Sequence, residues 1–179
     1  TGTPDNCTKA DYSPLQLLCK KQRGMVRGIN MHLNFKKVTG EHRKEIEALK
    51  LFDAQANFIE TTAECLREAD ELSFWRPVGI YDDATLIGFA MYGYLPFLGE
   101  GQLWFDRLLI DKQYQHKGYG RAAVAALLKR LQQEYPSCSC VYLSVYEDNT
   151  AAIRLYRQAG FSFNGEYDTK GERVMVRMY

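Results

Sequence analysis

The chain lacks a membrane-length apolar run, an excess of one charge and any C-x-x-C pair. Its longest hydrophobic stretch, Leu86 to Gly99, is broken by glycines and by Pro96, well short of the roughly 18 residues a spanning helix needs. The 23 basic and 22 acidic groups leave a formal charge of +1 over 179 residues. That balance excludes a protein that lives by non-specific phosphate contacts with nucleic acid. The five cysteines are Cys7, Cys19, Cys65, Cys138 and Cys140. Without a C-x-x-C pair, zinc-ribbon and thioredoxin-type motifs are excluded. Cys138 and Cys140 form a C-x-C, read as small core or surface thiols, and the odd total fits a reducing cytoplasm. His32, His42 and His116 are scattered, so no metal site is expected. Internal repeats and low-complexity tracts are also missing.

What is present is the make-up of an ordinary globular domain. Apolar residues make up 46% of the chain, with 12 Tyr and 9 Phe, enough to build a core. Charge is uneven along it. Residues 1–30 hold five basic and two acidic groups, so residues 31–179 hold 18 basic and 20 acidic groups, a net of −2. The first thirty residues show no sustained periodicity and contain Pro4 and Pro14. They are expected to be a leader, vector-derived or an upstream read-through, with Met31 as the natural start of the domain. The rival reading is a genuine basic extension. Leu15, Leu17 and Leu18 do not make the h-region of a secretory signal.

From His32 the pattern is regular. His32–Val38 reads as a strand and Glu41–Leu51 as a helix with Ile46 and Leu49 inward. Thr61-x-x-Glu64 is a capping box opening a helix to about Leu72, with Ala63, Leu66, Ala69 and Leu72 on one face. Three strand-like runs follow, Arg76–Tyr81, Thr85–Leu95 and Leu103–Asp111, separated by turn residues and suggesting an antiparallel meander. Arg121–Glu134 reads as a helix and Val141–Glu147 as a strand. Asn149 supplies N-cap chemistry to a short helix Thr150–Ala159, with Gly160 closing it. Phe161–Tyr167 and Arg173–Tyr179 form a hairpin about Asp168–Gly171. Helices on the faces of a mixed sheet place the chain in the α/β class.

The sharpest feature is the loop Gln115-His116-Lys117-Gly118-Tyr119-Gly120-Arg121, between a strand and a helix. Its glycines let backbone approach a ligand closely. The unpaired amides and dipole of the following helix make an anion site, to which Lys117 and Arg121 add charge. A Walker A loop is excluded, because no Gly-Lys-Ser/Thr follows. Gly118-x-Gly120-x-x-Ala123 matches the relaxed dinucleotide fingerprint, but the preceding loop is too long for that turn and the expected acidic residue is absent. The sequence also fits Q/R-x-x-G-x-G/A, the pyrophosphate loop of acetyl-CoA-dependent N-acetyltransferases. Downstream, Asn149, Ala152, Leu155-Tyr156 and Gly160-Phe161 complete N-x-x-A-x-x-L-Y-x-x-x-G-F.

The two signatures, in this order and on these elements, resemble the GNAT superfamily of N-acetyltransferases across Leu33–Tyr179. Asn57-Phe58-Ile59-Glu60, Phe74–Tyr81, Gly88–Gly93, Leu103-Trp104-Phe105-Asp106-Arg107, Phe163–Glu166 and Gly171–Val176 are similar to bacterial spermine/spermidine acetyltransferases. The resemblance implies the acyl-CoA N-acyltransferase fold, β-α-α-β-β-β-α-β-α-β-β. It implies transfer of acetyl from acetyl-CoA to a primary amine, foremost a polyamine. Another amine (an aminoglycoside, an amino acid or a protein N-terminus) and a non-catalytic acetyl-CoA sensor stay open. A homodimer through the final strands is also implied.

The chemistry assigns expected roles. An alkyl ammonium has a pKa of about 10.4, so at neutral pH a base must remove a proton before attack. Asp106, at the place of the family's acidic residue, is the expected base, acting through water because its side chain is short. Tyr156, two helical turns from Asn149, is the expected acid toward the CoA sulfur. Leu108 and Ile110 would bond the pantetheine arm through their backbone, like an added strand. Gln115, His116, Lys117, Gly118, Tyr119, Gly120 and Arg121 would cradle the pyrophosphate, and Asn149 would bond the pantetheine or its phosphate end. For the cationic acceptor, Glu60, Glu64, Trp75, Tyr92, Glu100 and Glu147 are the candidates, by carboxylate and cation–π contact.

Overall fold

Alternation of apolar residues over three successive runs sets the middle of the sheet. In the computed structural model these become β2 (Trp75–Asp82), β3 (Thr85–Leu95) and β4 (Gln102–Ile110), each antiparallel to the next. The structure describes residues 31–179. The leader expected over residues 1–30, with Cys7 and Cys19, lies outside the described residues. Met31–Tyr179 form one compact unit.

The seven-stranded mixed sheet has the order β1-β2-β3-β4-β5-β7-β6. The outer strands are β1 (Leu33–Lys37), β5 (Cys140–Val145), β6 (Ser162–Tyr167) and β7 (Arg173–Met178). Helices α1 (Gly40–Glu47) and α2 (Thr62–Glu71) cover one face, burying Ile46, Cys65 and Leu66 against Phe89, Met91 and Leu109. Helices α3 (Tyr119–Glu134) and α4 (Thr150–Gln158) cover the other. There Ala123, Val124, Leu127 and Leu131 pack on Ile80, Phe105, Val141 and Leu143.

Two elements depart from the sequence expectation. Helix α1 stops at Glu47 rather than Leu51. The buried carboxylate of Asp111 accepts from the Lys50 amide at 2.8 Å, and Lys112 N–H donates to the Lys50 carbonyl at 2.8 Å. The chain beyond α1 is thereby tied to the end of β4 instead of continuing as helix. In α2 the capping box forms as expected, with Glu64 N–H donating to Thr61 Oγ1 and Thr61 N–H to Glu64 Oε2. Its inner face, however, is Thr62, Cys65, Leu66 and Ala69, and Leu72 is exposed. A strict three-residue repeat drifts around a helix of 3.6 residues per turn, so Ala63 and Leu72 cannot share the buried stripe.

Candidate active site

The site begins with an irregularity in β4. Met91 pairs with Arg107 and Tyr92 with Phe105, leaving Asp106 without a partner on β3. This β-bulge shifts the alternation of the strand. Leu103 and Phe105 face the α3 side; after the bulge it is Leu108 and Ile110 that do so, with Leu109 on the α2 side. Consecutive strand residues ordinarily point to opposite faces. Here Asp106 and Arg107 meet, with Arg107 Nη1 donating to Asp106 Oδ2.

The far edge of β4 is also unusual. It pairs in parallel with β5 at a single position, Trp104 with Tyr142, whose rings stack at 5.7 Å. Asp111 N–H donates to the Ile87 carbonyl on β3. By the alternation of antiparallel bonds, the backbone of Leu109 and Arg107 faces β3 and that of Leu108 and Ile110 faces the β5 side. An extended chain laid along this edge would find the Leu108 and Ile110 amides.

The glycine loop leads directly into α3. Gly118 is its N-cap with φ 91°, and His116 has φ 60°. Ala122 N–H bonds the Gly118 carbonyl, so the amides of Tyr119, Gly120 and Arg121 precede the first intrahelical bond and have no partner within the helix, the arrangement by which helix starts can take up an anion. The side chains contribute less than expected. Gln115 is a brace: its Nε2 donates to the Ile110 carbonyl at 2.9 Å and to Gln55 Oε1 at 2.9 Å. Tyr119 is buried with its hydroxyl donating to Asp82 at 2.6 Å, leaving its amide alone for a ligand. Lys117 Nζ donates to the Gln113 carbonyl at 2.7 Å, while Arg121 is exposed at the helix start. Asn149 caps α4, accepting from Ala152 N–H at 3.2 Å, so its Oδ1 is already engaged.

Beside the bulge lies a group of charges. Arg107, whose side chain is only 11% exposed, pairs with Asp106, with Glu60 at 2.8 Å and with Glu68 at 3.6 Å. Lys170, in the β6–β7 turn, donates to Glu60. Burial pushes the Asp106 carboxyl up to about 6, against the opposing pull of Arg107. Burial likewise raises Glu172. At Glu60 burial acts upward too, but the Lys170 bond and the Arg107 charge outweigh it and lower the carboxyl. Burial lifts the Cys65 thiol to about 11, so it is no nucleophile at neutral pH.

Tyr156 faces the same group. Its ring packs edge-on against Phe105 at 6.0 Å and Phe161 at 5.8 Å. Burial, then the charges of Glu172 and Asp106, raise its phenol well above the ordinary tyrosine range. The hydroxyl therefore stays protonated and can only give its proton to a stronger base. Among the described residues none hydrogen-bonds it.

Three residues chosen from the sequence, Tyr156, Asp106 and Glu60, are thus brought together. The others are placed elsewhere or used otherwise. Glu64 is spent on the Thr61 capping box, and the Thr61 hydroxyl bond lowers its carboxyl. Tyr92 is buried in the core, its hydroxyl donating to Glu134 at 2.7 Å and accepting from Arg130 at 3.1 Å. Glu100 is exposed in the β3–β4 turn. Glu147 is exposed and paired with Arg173 at 3.1 Å. Trp75 is buried and reaches the group only by donating from Nε1 to Glu68 at 3.0 Å. Sequence reasoning missed Glu68, Lys170 and Glu172. Among the described residues no cluster of three or more His, Cys, Asp or Glu is arranged to hold a metal ion.

Comparison with known proteins bears on this arrangement. Residues 40–161 match the model of the acetyltransferase (GNAT) family. The spermine/spermidine N(1)-acetyltransferase of Bacillus subtilis (strain 168) is 44% identical over 151 residues, which cover 82% of this chain and 99% of that protein. The crystal structure of spermidine N-acetyltransferase from Vibrio cholerae with CoA and spermine superposes with a TM-score of 0.63 at 18% identity, covering 82% of this chain and 95% of that one. The aminoglycoside acetyltransferase AAC(6')-Ib with coenzyme A gives 0.69 at 19% identity, covering 82% and 94%.

Proposed function

The chain belongs to the GNAT acetyltransferase family, and from that premise we propose that it moves acetyl from acetyl-CoA to a primary amine of a polyamine such as spermine or spermidine. The observation that carries the substrate class is the charge group at the β4 bulge. Glu60, Glu68, Asp106 and Glu172 outnumber Arg107 and Lys170, a deficit of positive charge that suits a polycation. The 44% identity to a spermine/spermidine acetyltransferase over nearly its whole length supports the same reading.

The residues present fit the donor. The Leu108 and Ile110 amides on the β5 side of β4 would hold its pantetheine arm. The amides that open α3, with Arg121 beside them, would hold its pyrophosphate. Bound there, the donor supplies an acetyl thioester. Asp106, ionised above about pH 6, would take the ammonium proton through water. Tyr156 would supply a proton to the departing sulfur, and Phe105 and Phe161 hold its ring in place. Residues 31–179 would carry the catalytic activity, acting in the cytoplasm. β6 is the edge strand of the sheet, and its Tyr167 is 63% exposed where a homodimer through the final strands would form. No helix among the described residues is long and apolar enough to cross a membrane.

The test is thiol release from acetyl-CoA across spermine, spermidine, diamines, aminoglycosides and peptides. Turnover is expected with polyamines. Turnover confined to aminoglycosides or peptides would overturn the substrate class, and CoA binding with no turnover of any amine would indicate a sensor.

A further inference from the structure

Lys170 bears a primary alkyl ammonium, the same chemical group as the proposed acceptor. It lies 110 positions from Glu60 in sequence, yet donates to that carboxylate. The turn aims it there: Asp168 Oδ1 accepts from Lys170 N–H at 2.9 Å and from Glu172 N–H at 2.8 Å. Glu60 is also the partner of Arg107, which pairs with Asp106. The ammonium of Lys170 is therefore joined to Asp106 through three successive ion pairs, Lys170–Glu60, Glu60–Arg107 and Arg107–Asp106. Its own contact is open to solvent, with side chains 50% and 36% exposed, and such pairs are weak and exchange readily.

We propose that Lys170 is an internal surrogate for the second ammonium of the acceptor, holding Glu60 in the free enzyme and yielding it to the distal charged nitrogen of a diamine or polyamine. The inference rests on the polyamine reading. A polycation exchanges one ammonium for another at Glu60 while its terminal amine reaches Asp106. Lys170 then swings into solvent, where its charge costs nothing to hydrate. A monoamine has no second charge to offer and leaves Lys170 where it is. The Lys170–Glu60 pair thereby sets a preference for the number of charges on the acceptor, and its strength sets the concentration at which a polyamine competes.

The experiment is steady-state kinetics of the full chain and of Lys170→Met, Lys170→Arg, Glu60→Gln and the Glu60→Gln/Lys170→Met double variant. Spermidine is the polyamine, and butylamine serves as monoamine substrate or competitive inhibitor. With Lys170→Met the KM for spermidine should fall about threefold to fivefold, as loss of an exposed ion-pair competitor predicts, with a much smaller change in kcat. Lys170→Arg should keep the wild-type KM, and the butylamine constant should not move. In the Glu60→Gln background, Lys170→Met should have no further effect on KM. An unchanged or raised KM, an equal fall for butylamine, or additive effects in the double variant would each overturn the proposal. Wild-type turnover of spermidine with no Lys170→Met effect overturns this inference alone. No wild-type turnover of any polyamine overturns the proposed function and this inference with it.

Discussion

Asp106 lies against Arg107 because a bulge turns two sequence neighbours toward the same side. Burial still dominates its titration and holds the carboxyl near 6. A raised carboxyl binds its proton more tightly in the folded than the unfolded state, whose value is about 3.9. Its contribution to stability is thus greatest below about pH 4 and is lost as pH rises through about 6. For activity the sign is opposite, since only the ionised form is a base. We expect kcat/KM to fall below about pH 6, and Asp106→Asn to remove that limb and lower the plateau about 10²-fold; a pH–rate series checks both. Tyr156→Phe keeps the ring between Phe105 and Phe161, so it should lower kcat about 10²-fold with little change in Tm. Near wild-type turnover would remove Tyr156 from the acid role. Both residues could be chosen from the sequence because each sits in a short local pattern. Glu68 lies inside α2 while Glu60 precedes its cap, so no helical spacing relates the two. Lys170 and Glu172 had no signal either, because nothing local relates the β6–β7 turn to the start of α2.

Among the elements, β4 and α3 would do most to make the donor site we propose. The break in alternation at Asp106-Arg107, between Leu103-x-Phe105 and Leu108-x-Ile110, marks the bulge in the sequence. That break becomes interpretable only against the register of β3. The start of α3 depends on Gly118 at φ 91°, a region that costs an ordinary L-residue about 1–2 kcal/mol and a β-branched one more. Gly118→Val should therefore disorder the three amides that open α3 and weaken CoA binding at least tenfold by calorimetry. Leu108→Ala, which leaves the backbone amide in place, should change CoA affinity less than threefold. Equal effects from the two would mean that side chains rather than backbone hold the donor. The stop of α1 shows how an element end escapes local reading. Its residues permit helix to Leu51, and the Asp111 carboxylate, 61 positions away from Lys50, ends it.

For the molecule as a whole, the described domain carries a net charge of −2 once residues 1–30 are set aside. If residues 31–179 are the catalytic unit, a chain beginning at Met31 should keep its Tm within about 2 °C, a change of less than ~1 kcal/mol for a domain of this size. Its kcat should stay within about twofold of the full chain, roughly 0.4 kcal/mol in barrier. Thermal unfolding and thiol release check this, and loss of either property would show that the first thirty residues belong to the working protein. The sequence by itself determined the α/β class and the placing of most strands and helices, and it singled out the glycine loop before α3 and the residues Asp106 and Tyr156 on which the proposed chemistry rests. Periodicity, caps and short motifs act over a few residues, and one strand or turn suffices to express them. Only the tertiary structure decided which acidic residues face the reaction centre. It sent Tyr92 into the core, Glu64 to a helix cap and Glu100 to an exposed turn, and it gathered Glu60, Glu68, Glu172, Arg107 and Lys170 at the bulge. A charge finds its partner by distance in space, and sheet pairing brings α2, β4 and the β6–β7 turn together from positions more than a hundred residues apart.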